Sequence, residues 1–231
     1  MRIRSFAAAL AAVGALSVPA LAADAPKGPW DGYGVGTTVT MKQTMKVSME
    51  GAPETSTQSR TTLVKITDAE YTLKMEQEMG GQWMAPMEVP LPRKATAVAG
   101  EAPKPEDHGE EKVTVGGESI ACKKTKSVVA DTTTITWTNE KYGVVKSESS
   151  GAGDIKTTMA LTNVAKKVTV AGKEVECREQ VVTSKGGGFD STTTMLFCDK
   201  IPGSIARSES NSTSSGMTTN VVAEVTAFEV K

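Results

Sequence analysis

Val113-Thr114-Val115-Gly116-Gly117-Glu118-Ser119-Ile120-Ala121-Cys122-Lys123 is answered further along by Val168-Thr169-Val170-Ala171-Gly172-Lys173-Glu174-Val175-Glu176-Cys177-Arg178. Each stretch reads as a short strand, a tight glycine turn and a second strand carrying a cysteine. The residues after each stretch also recur. Thr132-Thr133-Thr134-Ile135-Thr136-Trp137 stands beside Thr192-Thr193-Thr194-Met195-Leu196-Phe197, and Ser147-Glu148-Ser149 beside Ser208-Glu209-Ser210. So 113–162 and 168–228 read as two tandem copies of one β unit of roughly 50–60 residues, a period within the range of repeat architectures.

Upstream, the alternation is of period two. Val35, Val39, Met41, Met45, Val47 and Met49 fall on one side, and Thr38, Thr40, Lys42, Thr44, Lys46 and Ser48 on the other. Such alternation marks a half-buried strand. Further strands are expected at 59–67 and 70–79, separated by a turn at Asp68-Ala69. Residues 23–34 form an extended lead-in, with Trp30 and Tyr33 as plugs for one end of a core. Ile155, Thr157, Met159 and Leu161 alternate inward near the end of the first copy. In the second, Met217, Val221, Ala223, Val225 and Ala227 share a face. No stretch of the mature chain has helical periodicity, so the class is all-β and mainly antiparallel. About a dozen strands make one long, twisted sheet, curled into an open or half barrel, or two packed sheets.

The division expected is a signal peptide (1–22), an N-terminal β unit (23–85), a Pro/Glu-rich loop or linker (86–111), and the two β repeats (112–165 and 166–231). Residues 113–231 are expected to form one domain. Arg2 and Arg4, the apolar run Phe6 to Val18 and the small-residue site Ala20-Leu21-Ala22 have the form of a secretory signal. The apolar run is shorter than the roughly 20 residues a membrane span needs. The expected setting is therefore periplasmic or secreted, without stable membrane insertion.

Loss of Arg2 and Arg4 leaves 24 of the 26 basic side chains against 27 acidic ones. A slightly acidic chain has no basic footprint for nucleic acid. Three cysteines in an exported protein imply one pair and a remainder. If the hairpin folds about Gly187-Gly188, Cys177 lies opposite Cys198, and this pairing is preferred to Cys122–Cys177. Cys122 is then a free, buried thiol with nothing near it to lower its pKa. The same register puts Arg178 opposite Phe197 and, applied to the first copy, puts Thr138 opposite Cys122 and Lys123 opposite Trp137.

Enzymatic signatures are missing. The one histidine, His108, sits among Glu106, Asp107, Glu110 and Glu111 in the Pro/Glu-rich loop, a poor set for a metal that prefers nitrogen or sulfur ligands. Gly186-Gly187-Gly188 lacks the Lys-Ser/Thr of a phosphate loop. No catalytic residue, metal site or cofactor is expected.

The series Trp-x-x-Tyr-x-Val-Gly-Thr (Trp30 to Thr37), then Gly-x-x-[Ile/Val]-x-Cys, then Trp or Phe before a Tyr-Gly or Pro-Gly turn resembles uncharacterised exported bacterial β-rich proteins. In outline, the long antiparallel strands are also similar to the curved half barrel of periplasmic lipoprotein carriers.

The function expected first is non-catalytic binding of a lipid or other apolar ligand. The face proposed for it is Val39, Met41, Met45, Val47, Met159, Leu161, Val221 and Val225. An uncovered apolar face of that size would mark a binding site. The rival is a structural or protein-interaction component of the cell envelope. The third reading, an enzyme, would need His108 or the free cysteine.

Overall fold

The computed structural model describes residues 28–49, 51–93 and 104–231, and the expected signal segment lies outside them. The strands are β1 (Thr38–Val47), β2 (Thr55–Ile66), β3 (Glu70–Met79), β4 (Gln82–Trp83), β5 (Met87–Pro92), β6 (Glu106–Val115), β7 (Glu118–Val129), β8 (Thr132–Asn139) and β9 (Gly143–Ser150). They continue as β10 (Lys156–Val170), β11 (Lys173–Gly186), β12 (Phe189–Phe197), β13 (Ile205–Ser214) and β14 (Met217–Glu229), with one 3-10 turn at Ala152–Asp154. All fourteen strands belong to one antiparallel sheet. Its order is β4-β3-β2-β1-β14-β13-β12-β11-β10-β9-β8-β7-β6, and β5 pairs with β3 beside β4. The sheet is open, with edges at β4/β5 and β6, so the half-barrel form of the expected all-β fold is the one realised.

Turn chemistry sets the local registers. In both quoted stretches the strands meet across two residues of positive φ, Gly116-Gly117 and Ala171-Gly172. That conformation matches the twist of a hairpin, and glycine adopts it without a Cβ clash. The β7–β8 hairpin turns on the pair Ala130-Asp131, so Val129 faces Thr132. This corrects the expected register by one residue: Trp137 stands opposite Lys124, not Lys123. Its ring lies between the ammonium groups of Lys124 and Lys146, at 5.0 and 4.6 Å. In the second copy Arg178 does face Phe197, but its guanidinium donates to Asp199 at 3.1 Å.

Three further expectations are corrected. The stretch 86–111 is not all loop, because Met87–Pro92 and Glu106–Val115 are strands. Pro90 and Pro92 are tolerated because β5 has a ladder on one side only, and an edge residue needs no outward N–H. The alternating segment that ends the first copy and the short strand that opens the second at Val168 are not separate; they run together as β10, with register shifts between Leu161 and Lys166. Near the end of β14 a bulge puts Phe228, not Ala227, on the side of Val225, and Phe228 packs on the core while Ala227 is exposed.

Six ladders contain register shifts, and five of these fall in the half of the sheet that holds Thr40/Met41, Leu63/Lys65, Trp137/Thr138, Leu161 to Lys166 and Leu196/Phe197. Bulges bend and twist a strand. The sheet therefore curls tightly at this end, which we call the closed end, and β10 approaches both β6 and β14. Both apolar clusters lie there. One gathers Leu63, Tyr71, Val175, Cys177, Leu196, Cys198, Ile201 and Val225; the other gathers Val115, Ile120, Cys122, Trp137, Val145 and Leu161.

The lead-in caps the closed end. Trp30 is buried in the larger cluster, and its ring lies against Gly203. The Gly203 N–H donates to the Pro29 carbonyl at 2.9 Å, and the Tyr33 hydroxyl to the Asp199 carbonyl at 3.1 Å. Asp31 accepts from the Gly28 N–H (2.7 Å), the Tyr71 hydroxyl (2.6 Å) and Arg93 (2.6 Å). Gly28 has to lack a side chain, since a Cβ would come within 2.2 Å of the Tyr71 hydroxyl oxygen.

The bond from Tyr71, followed by those from Gly28 and Arg93, holds the Asp31 carboxyl below its ordinary value of 3.8, against an opposing desolvation. A carboxylate whose pKa is depressed on folding stabilises the protein above the unfolded pKa, and the contribution disappears as pH falls through the folded one. Asp31→Asn is expected to lower the melting temperature at pH 7, with the difference from wild type narrowing below about pH 4. Thermal melts of both proteins from pH 7 to pH 2 check this; a constant difference across that range would remove the carboxylate from the account.

Candidate functional site: the inner face of the half barrel

Register places all eight residues of the expected ligand face on one side of the sheet. Thr136, Ser147, Met159, Val182, Thr193, Ser210, Val221 and Met45 stand successively opposite one another across β8, β9, β10, β11, β12, β13, β14 and β1. Alternation extends this side to Leu161 on β10, to Val225 on β14, and to Val39, Met41 and Val47 on β1. Towards the open end it is the less exposed side, while nearer the closed end residues of the opposite parity, such as Cys177 and Leu196, are buried too. On β13, Ser208, Ser210 and Ser212 are half-buried while Arg207, Asn211 and Thr213 are exposed, although no second layer among the described residues covers either side. This is the inner face of the curl.

The eight residues do not form one continuous patch. Val39 and Val225 are sealed in the larger core with Met41 packed on it, so they face other protein atoms. Met45, Val47 and Val221 are half-buried on the open face, separated from Met159 by Thr193 and Ser210. Met159 and Leu161 line a groove of about 300 Å³ with Tyr142, Val144, Arg178, Gln180 and Phe197. A second hollow of about 380 Å³ shares Tyr142, Arg178 and Phe197 and adds Lys141, Glu176 and Lys200.

The groove residues outside the expected set come from three other strands and a turn. Val144 is brought in by the shift between β8 and β9, and Phe197 by the one between β12 and β13. Neither could be placed from alternation alone. Gln180 and Leu161 do face each other in the β10–β11 ladder. Tyr142 and Phe197 bracket the closed-end side of the groove, and Arg178, bonded to Asp199, supplies its cation. The groove is thus apolar along Val144, Met159 and Leu161, and charged at one end.

Towards the opposite, open end the inner face changes character. Ser127, Thr134, Ser149, Thr157, Ser184, Ser191, Ser212 and Thr219 form an unbroken row of hydroxyl side chains across eight strands. Some are bonded to each other, as Thr134 to Ser149 at 3.3 Å and Thr157 to Ser184 at 3.0 Å. No charged residue interrupts this row.

Cys177 and Cys198 form a disulfide between β11 and the turn after β12, with Cα atoms 4.3 Å apart. Cys122 is free and buried, and burial, with a smaller contribution from Glu111, raises its thiol above the ordinary range. His108 lies in edge strand β6 and not in a loop, with Nε2 3.5 Å from Glu106. No group of three His, Cys, Asp or Glu among the described residues is placed to hold a metal ion. No described helix is long and apolar enough to cross a membrane.

No family model and no curated protein matches the sequence. Among solved structures, the chain is similar to the hypothetical lipoprotein YmcC of Escherichia coli, at 12% identity and a TM-score of 0.28, over 81% of this chain and 87% of that one. It is similar to a LolA superfamily protein of Nitrosomonas europaea at 8% identity and a TM-score of 0.29, over 85% and 86%. It is also similar to MucB in complex with MucA, at 11% identity and a TM-score of 0.20, over 84% and 94%. Likeness at this level assigns no function, so the chain's own inner face has to supply the grounds for one.

Proposed function

We propose that the protein is an exported, non-catalytic binder of a lipid or other apolar molecule, held on the inner face of the half barrel. The observation that carries this reading is the groove lined by Val144, Met159 and Leu161 on a face that no described layer covers. Met159 and Leu161, 8% and 7% exposed, form its buried floor, and the half-buried Tyr142, Val144 and Phe197 supply the apolar area that gains from burial against a ligand, at roughly 25 cal/mol per Å². The disulfide fits an oxidising compartment outside the cytoplasm. The rival, recruitment of a protein partner onto a sheet edge, is disfavoured by the edges themselves. Pro90 and Pro92 interrupt β5, and β6 carries Glu106, Asp107, Glu110 and Glu111 with a register shift, which are means of blocking strand addition.

Mass spectrometry of an organic extract tests this, using protein exported to the periplasm and purified without detergent. An acyl lipid or similar compound in stoichiometric amount is the expected result. Met159→Gln keeps the side chain's length and places an amide in the groove. It is expected to reduce occupancy about tenfold, the effect of ~1.4 kcal/mol, with the circular dichroism spectrum unchanged. A clean extract from folded wild-type protein that also fails to take up added fatty acid or phospholipid would count decisively against the reading.

A further inference from the structure

The inner face ends, at its open end, in a row of exposed apolar side chains. Val129, Ile155, Phe189, Met217 and Met49 each lie two residues beyond a member of the inner side, namely Ser127, Thr157, Ser191, Thr219 and Val47. One comes from each of five hairpin connections, β7–β8, β9–β10, β11–β12, β13–β14 and β1–β2. They are between 43% and 60% exposed. A sixth connection, β3–β4, adds exposed Met79, Trp83 and Met84. The tips are joined. A Cβ on Gly186 would come within 2.5 Å of the Asp154 carbonyl oxygen, so the Ile155 and Phe189 tips form one edge. The Ser48 N–H donates to the Thr218 carbonyl at 2.8 Å, and the Thr218 N–H to the Ser48 hydroxyl at 2.9 Å, which ties the Met49 tip to that of Met217.

The turns of the closed end are different. They carry Gly116-Gly117, Glu140-Lys141, Ala171-Gly172 and Asp199-Lys200. Exposed Val35, Ile66, Leu91 and Val230 at that end belong to the lead-in, the end of β2, edge strand β5 and the C-terminus and form no row. Folding has no need of large apolar groups at the open-end tips, since they belong to neither core cluster.

We propose that this rim is a docking edge for the surface of a phospholipid bilayer; the proposal rests on the reading of the inner face as a lipid site. Three observations select a bilayer as the occupant. Hairpins of a sheet with strands about 4.8 Å apart present one apolar tip every ~10 Å, a spaced line that suits a fluid, laterally extended partner better than a single complementary pocket. The charges near the rim are mixed and lean acidic: Lys46, Lys126, Lys156 and Lys185 lie among Glu54, Asp131, Asp154 and Asp190, with Glu106 opposite Lys126, Glu78 opposite Trp83, and Lys46 and Glu54 paired at 2.7 Å. Insertion then rests on the apolar tips with lysine ammonium groups at headgroup level, and does not require anionic lipid. Finally, the rim borders the open end of the inner face, so docking would bring that face to the bilayer from which a lipid leaves or into which it passes.

The test is flotation of the exported protein with phosphatidylcholine vesicles and, separately, with vesicles containing phosphatidylglycerol. Trp83 provides a second readout, since Trp30 and Trp137 are buried. The wild type is expected to float with both vesicle types, with Trp83 quenched by brominated lipid. The triple variant Val129→Ser/Ile155→Ser/Phe189→Ser is expected to lose partitioning at least tenfold, roughly the effect of withdrawing its buried apolar area, while keeping its melting temperature and whatever lipid it carries. Should the triple variant be unstable, Phe189→Ser alone carries the same test with a smaller loss. Met159→Gln should do the reverse, keeping flotation and losing bound lipid, which separates failure of the rim from failure of the groove. Docking is overturned if the wild type stays unbound with both vesicle types, binds only the anionic ones, or floats no better than the triple variant. It is also overturned if the rim instead mediates a dimer in vesicle-free solution that the triple variant dissolves.

Discussion

Replacing Trp30 by alanine is expected to destabilise the protein by about 3–5 kcal/mol, the range for removing a buried large aromatic side chain. The ring is only 4% exposed and sits where the lead-in crosses the turn after β12. Its loss opens the larger core at the end where Ile201, Cys198 and Leu63 are sealed from water. For a domain of this size each kcal/mol moves the midpoint by roughly 2–4 °C, so a fall of about 6–20 °C is expected in a thermal melt followed by circular dichroism. Tyr33→Phe is the control. It removes one hydroxyl bond to an exposed carbonyl and should cost under about 1 kcal/mol. Equal effects for the two variants would mean that the lead-in contributes hydrogen bonds and not a plug.

Loss of the disulfide is the second large effect. Cys177 and Cys198 are separated by 21 residues, and opening a loop of that length is expected to cost about 3 kcal/mol, chiefly by freeing the unfolded chain. The double variant Cys177→Ala/Cys198→Ala should therefore melt about 6–12 °C lower. Reduction of the wild type should produce a similar shift. Cys122→Ala should not reproduce it through a lost cross-link, because Cys122 is not bonded to another cysteine. Urea denaturation of the three proteins, with and without reductant, measures the difference. If Cys122→Ala alone abolished the response to reductant, the pairing would have to be reassigned.

Much of the strand pattern is legible locally because alternation and turn chemistry act over a few residues. The Gly187-Gly188 turn brings Gly186 opposite Phe189 and Arg178 opposite Phe197, and the cysteines one step further on become neighbours. At Ala130-Asp131 the expected register is out by one residue: no glycine marks the centre of this two-residue turn, and the register carried over from the second copy misses it by one step. Proline makes 86–92 read as loop, since the penalty for proline in a strand depends on whether a neighbour needs its missing N–H. That is a property of the sheet's edge, which β5 occupies. The apolar side of β1 is legible as Val39, Met41, Met45 and Val47, but which of them are sealed and which remain open is not.

The sequence by itself determined the class, most strand positions, the hairpin that joins Cys177 to Cys198, and, within each of β1, β10 and β14, which apolar residues share a side. Each of these follows from period two and from turns that only certain residues can make. Tertiary structure alone decided that β1 pairs with β14, that the end of the first copy and the start of the second join as β10, and that bulges at one end seal Val39 and Val225 in the larger core while Met159 and Leu161 become the buried floor of a groove walled by Tyr142, Val144 and Phe197. Alternation fixes which way a side chain points relative to its own strand. It carries no information about the neighbouring strand or the curvature of the sheet, and those two quantities separate a core residue from one that can meet a ligand.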